Sequence, residues 1–150
     1  ISACIAYLGY EKGYTDYAEA ANDIEITEKI KRIAEVINRC ITTVYNVSMQ
    51  EQTAFSEMAI RKFQNRNIKD TVARNVRDVE RKLKPEERIR KPLSLMQEQG
   101  EYSRELLEVL AAALRYGMKT KELSQDWDKL VDFYTQGMCE EWKQVLHRCK

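Results

Sequence analysis

Proline and glycine are scarce, at two and five residues in 150. That leaves little material for the turns of hairpins and sandwiches. With 33% charged residues, the composition points to long helices with solvated outer faces. Histidine is scarcer still, with His147 alone. The four cysteines fit no zinc spacing, so no metal-ligating set is expected. No apolar run approaches the roughly 18 residues of a membrane-crossing helix, and a membrane is not an expected partner. The formal net charge of +1 gives no bulk attraction for nucleic acid. A glycine-rich phosphate loop and a nucleophile elbow are both missing. His147 stands two residues before Cys149, which on a helix points the two side chains apart. No catalytic residue and no cofactor emerge, and the expectation is a protein that is not an enzyme.

What is present is helical periodicity. Apolar residues fall at Ile26, Ile30, Ile33, Ile37, Cys40, Val44 and Val47 in alternating steps of four and three, and Ala54 and Met58 continue the phase. No proline or glycine interrupts the stretch. It predicts one long helix near 27–65, with a possible kink where Asn46-Val47-Ser48-Met49 is less helix-favouring. The phase breaks at Asn65-Arg66-Asn67 and resumes from Ile68 to Leu83, where Pro85 ends it. Before the long helix, Thr15 and Asp16 can cap a short helix reaching Asn22. After it, Leu93 to Met118 is helical with Gly100 as a divider and Gly117 as a C-terminal cap. Ser124 can open a last helix whose stripe runs Trp127, Leu130, Val131, Tyr134, Met138, Trp142, Val145 and Cys149. The chain reads as all-α: a single helical domain over 1–150, an antiparallel bundle of five to seven helices.

The cysteines (Cys4, Cys40, Cys139, Cys149) are even in number. Cys139 and Cys149 lie ten residues apart, about 15 Å along one helix, too far to pair with each other. Two intramolecular bridges would then join them to Cys4 and Cys40 in either order. Asn46-Val47-Ser48 is an N-glycosylation sequon, with Asn46 the acceptor. The first residue is Ile1, which reads as a processed start. These three features favour a secreted protein, with a cytoplasmic one as the alternative.

Two surfaces stand out. Tyr7, Tyr10, Tyr14 and Tyr17 are spaced three, four and three, and on an unbroken helix would form one binding stripe. From Arg61 to Lys91 there are twelve basic residues against five acidic ones, a net of +7 that leaves −6 for the rest of the chain. Its densest part holds Arg81, Lys82, Lys84, Arg88, Arg90 and Lys91, a pattern suited to acidic macromolecules. No aromatic residue lies between Gln64 and Gly100, which argues against single-stranded nucleic acid. The expected function is that of a secreted, non-enzymatic helical binding protein acting through protein–protein or polyanion contacts. The alternative is an intracellular helical scaffold or effector that oligomerises through its long helix.

Overall fold

Short polar side chains decide where this chain starts its helices. In the computed structural model, which describes residues 1–150, Asp16, Asp23, Ser48, Thr71, Ser103 and Asp126 each accept a hydrogen bond from a backbone N–H three residues on. Each such cap contributes about 1 kcal/mol. The helices are α1 (Ser2–Glu11), α2 (Tyr17–Asn22), α3 (Ile24–Tyr45), α4 (Met49–Phe63), α5 (Val72–Val76), α6 (Val79–Lys82), α7 (Arg90–Glu98), α8 (Arg104–Lys119), α9 (Trp127–Tyr134) and α10 (Glu140–His147). The all-α expectation holds. Ten helices replace the expected five to seven because three long stretches are broken. There is no strand, only an isolated antiparallel bridge between Asp16 and Thr71.

The first break falls inside the expected 27–65 helix. Asn46 takes a left-handed conformation, φ 52° and ψ 45°, and ends α3. Ser48 then caps α4, accepting from the Glu51 N–H at 3.3 Å. The letters that read as a glycosylation sequon are a helix stop followed by a helix start. The chain reverses there, and α4 folds back along α3. Inside this hairpin Asn38 donates from Nδ2 to Ser56 Oγ at 3.0 Å, and Ser56 donates back to Asn38 Oδ1 at 3.2 Å. Both residues are buried.

The second break splits the expected 68–83 helix. Arg77 is extended and Asp78 is left-handed, φ 60°, so α5 and α6 meet at a corner. The third divides the C-terminal stripe into α9 and α10, with Gly137 at φ 86° between them. Gly100, at φ 68°, parts α7 from α8 as expected. Gly117 is not a cap. It lies within α8, and a Cβ there would sit 2.3 Å from Leu123 Cδ1. Glycine is what lets the loop after α8 fold back onto the helix.

Helix α8 is the spine. Leu106, Leu107, Val109, Leu110 and Ala111 to Leu114 are all essentially inaccessible, and α1, α3, α6 and α10 pack around them. Truncating such a leucine to alanine costs about 2–5 kcal/mol. A single contiguous cluster of 38 buried residues runs from Ala3 to Leu146, so one core serves the whole chain.

The expected disulfides do not form. Cys4 and Cys40 are buried thiols in α1 and α3, and Cys139 and Cys149 are half-buried thiols at the two ends of α10. The Cys149 thiol donates to the Val145 carbonyl at 3.1 Å. Apolar contact, not cross-linking, fixes the last helices. Trp127, Trp142 and Leu146 are buried, and the Trp127 indole donates to the Leu146 carbonyl at 3.0 Å.

Candidate functional site

The corner at Asp78 gathers cations. Tyr7 in α1 donates its hydroxyl to the Val76 carbonyl at 3.0 Å and so pins α5 to α1. Residues on both sides of the corner, with Arg88 from the following turn, then face one cavity of about 260 Å³. Arg74, Arg77, Arg81, Lys82 and Arg88 line it, with Ser2, Ala3, Asn75 and a single carboxylate, Asp78.

The five cations are not equally free. Arg74 is committed to Asp70 by two hydrogen bonds of 2.7 and 2.6 Å, which hold that carboxyl well below the usual range. Arg81 reaches Asp78 only at 3.8 Å. Arg77 donates weakly to the Arg74 carbonyl at 3.4 Å, and neither it nor Arg88 has an acidic partner. Lys82 is buried and donates to the Asn75 carbonyl. Burial first, then the nearby Arg81 and Arg88, push its ammonium pKa down. A buried cation among like charges, with Asp78 as the one carboxylate nearby and none bonded to it, is a costly arrangement.

The structure divides the basic run that the sequence presents as one patch. Arg81, Lys82 and Arg88 share the cavity, joined by Arg74 and Arg77, which count toward the regional charge but not toward its densest part. Lys84 is exposed and lines no part of it. Lys91 borders a neighbouring groove, between α3 and α7, with Ile37, Ile41, Tyr45 and Pro92, and Arg88 lies at the edge of both. Arg90 is not a surface residue. It is buried, donates to the Leu83 carbonyl at 3.2 Å, and lies 5.8 Å from the Tyr134 ring centre.

The four tyrosines do not form one stripe. Tyr7 and Tyr17 are core residues, and burial raises both hydroxyl pKa values. Tyr17 donates to the Ser2 carbonyl at 3.1 Å. Tyr10 packs edge-on against Tyr116, ring centres 4.9 Å apart. Tyr14 donates to Asp23 at 2.7 Å. Burial alone would raise the Asp23 carboxyl, but the Ile26 amide, the Tyr14 hydroxyl and the Lys12 ammonium together pull it down to about 2. Helix α1 ends at Glu11 and Gly13 turns the chain at φ 82°, so the four rings never share one helix.

His147 lies between two carboxylates, with Nδ1 2.7 Å from Asp128 and Nε2 3.2 Å from Asp132. The Asp128 hydrogen bond leads in raising its pKa. This clamp joins α10 to α9. No group of three or more His, Cys, Asp or Glu residues is placed to hold a metal ion. No helix is long and apolar enough to cross a membrane.

Fold and site together define an all-helical domain with one strongly cationic cavity. The chain belongs to the mannitol dehydrogenase C-terminal domain family, whose model matches residues 2–147. It is similar to proteins named mannitol-1-phosphate 5-dehydrogenase. That of Caldanaerobacter subterraneus subsp. tengcongensis is 35% identical over 117 residues, 78% of this chain and 30% of the relative. That of Enterococcus faecalis is 29% identical over 130 residues, 87% of this chain and 34% of the relative. That of Clostridium acetobutylicum is 36% identical over 93 residues, 62% of this chain and 24% of the relative. The chain spans about a quarter to a third of the length of these relatives.

Family membership overturns the expectation of a secreted, disulfide-stapled, non-enzymatic glycoprotein. The family is that of a dehydrogenase domain, and the four thiols are free. Asn46 ends a helix, and nothing else in this fold supports the secretory reading of its sequon. The residues missed as a group were Arg74 and Arg77. Their signal was present in the spacing of Arg74, Arg77 and Arg81, but only the turn at Asp78 brings them onto one wall.

Proposed function

We propose that this chain is the helical domain of a mannitol-1-phosphate 5-dehydrogenase, an enzyme oxidising a secondary hydroxyl of a polyol phosphate. The observation that carries the reading is the family match across 2–147, joined by relatives of that name over most of the chain. The cationic cavity is consistent with it, since the substrate so named carries a phosphate.

Such an oxidation needs an acceptor for the hydride and a base for the hydroxyl proton. A dinucleotide acceptor is usually cradled by a glycine-rich turn between a strand and a helix. This chain has no strand, and its five glycines form no such turn, so its residues do not fit that group. The role the cationic cavity supports for the domain is to hold and orient substrate. In this reading the protein works in the cytoplasm, where free thiols persist.

The test is a spectrophotometric assay of the intact protein that carries this chain, with a nicotinamide dinucleotide as acceptor. Oxidation of mannitol 1-phosphate, with little turnover of mannitol, is the expected result. No turnover of either polyol overturns the reading.

A further inference from the structure

We propose that the cavity formed by α1, α5 and α6 is a phosphate-monoester site, in which Arg77, Arg81, Lys82 and Arg88 receive the dianion. The class of ligand rests on the cavity alone. Its identity as the phosphate of a polyol phosphate rests on the dehydrogenase reading above.

Three features lead there. The first is the imbalance of the lining, five cations against one carboxylate. Arg74 is already neutralised by Asp70, whereas Arg77 and Arg88 have no acidic partner and Arg81 has only one at 3.8 Å. Free guanidinium forks converging on one concavity match the geometry of phosphate oxygens. The second is Lys82. It is a buried ammonium bonded to one carbonyl, and it retains further N–H donors. A dianion beside it removes the repulsion from Arg81 and Arg88 and satisfies those donors. The third is size. At about 260 Å³ the cavity lies below the range of pockets that enclose whole drug-sized ligands. It suits a charged head group whose remainder projects outward.

The same features weigh against a polymeric anion. A chain of sulfates or phosphates would follow the whole basic run, yet Lys84 lines no part of the cavity, Lys91 borders a neighbouring groove beside the carboxylates Glu86 and Glu87, and Arg90 is buried. Only a compact ligand reaches all four proposed donors together.

The experiment is a calorimetric titration of the intact protein that carries this chain with mannitol 1-phosphate, inorganic phosphate and mannitol at low ionic strength. Both phosphates are expected to bind, and mannitol is not. In R81Q/R88Q affinity should fall at least tenfold, with an unchanged thermal melt because both side chains are exposed. K82M should weaken binding comparably. K84Q/K91Q should bind as the unmodified chain does. Undiminished phosphate binding by folded R81Q/R88Q overturns the proposal, as does an equal loss in K84Q/K91Q. The two readings separate cleanly. If the intact protein oxidises mannitol 1-phosphate with the same KM when R81Q/R88Q is introduced, the site falls and the dehydrogenase reading stands. If the chain binds phosphate through these arginines and the intact protein oxidises no polyol, the site stands and the dehydrogenase reading falls.

Discussion

On the face where α3 meets α8 and the loop before it, each of three α3 cations finds an acid across the interface. Lys29 lies 2.9 Å from Glu108, Arg32 2.9 Å from Glu105, and Arg39 makes two hydrogen bonds of 3.2 and 3.1 Å to Glu101. At the α5–α6 corner, with Arg74 taken up by Asp70, four cations are left with the single carboxylate Asp78, and one of the four, Lys82, is buried. The α3–α8 pairs satisfy themselves within the fold and gain little from any ligand. The corner leaves donors unsatisfied and positive charge uncancelled, which folding alone does not reward. The corner is already the more basic of the two in sequence, with twelve basic residues against five acidic ones over 61–91. The fold sharpens the difference, because acids reach the α3 cations from across the interface and only Asp78 reaches the cavity.

The contrast can be broken most forcefully at Lys82. In K82M the buried charge and its desolvation cost are removed together, so thermal stability should hold or rise while phosphate affinity falls at least tenfold. The stability difference also has a pH signature. Because the folded chain lowers the Lys82 pKa, the unfolded chain holds the extra proton between that value and about 10.4. The contribution of Lys82 to stability therefore improves as pH rises through that window, and the gap between K82M and the unmodified chain should narrow. Denaturant melts at pH 7 and pH 10 measure it.

The opposite intervention belongs on the matched face. Glu101→Gln leaves Arg39 with only the longer 3.6 Å pair to Glu35. For a partly exposed pair the expected loss is about 1 kcal/mol at most, or about 2–4 °C in Tm for a chain of this length. Glu101 is held below the usual glutamate range chiefly by Arg39. Its contribution is thus present above about pH 4.3 and fades as pH falls through the lowered value. No effect on phosphate binding is expected, and a loss there would erase the distinction between the two regions.

Asp78 sharpens the comparison from within the cavity. Asp78→Asn removes the only lining carboxylate but keeps a residue that tolerates the left-handed conformation. Phosphate affinity should rise roughly threefold, in proportion to one unit of partly screened charge. The smallest effect is expected at His147, whose partners are largely exposed. Asp128→Asn should lower the imidazole pKa, read by NMR titration. The small stability the pair contributes, present below about pH 6.5 and lost as pH rises through the raised value, should disappear.

Much of the fold was legible because it depends on neighbours in sequence. The cap at Asp16, the divider at Gly100, the disruption near Asn65 and the buried Ile26, Ile30, Ile33 and Cys40 follow from local chemistry and helical period. The breaks at Asn46 and Asp78 were less visible, because a left-handed residue in an apolar phase looks like any polar position. Gly117 was misread because its role is set by Leu123 folding back on it. The site was half legible. Composition gave a net positive region, but periodicity cannot say that Arg74, Arg77 and Arg88 share a wall while Arg90 turns inward to Tyr134. The dehydrogenase connection had no local signal, since the chain carries neither a nucleotide-cradling turn nor an activated nucleophile.

The Asn38–Ser56 pair has a consequence for the α3–α4 arm. Apolar seams between antiparallel helices tolerate sliding, because one row of methyl groups meets the next about as well as the last. A slip of one turn, 5.4 Å, would here strand a carboxamide and a hydroxyl in an apolar interface, each unmet at about 1–3 kcal/mol. The pair works as a detent. It adds little to the grip of the two helices but selects the one setting in which Asn46 can close the arm, and so fixes how far the arm reaches from the body of the domain.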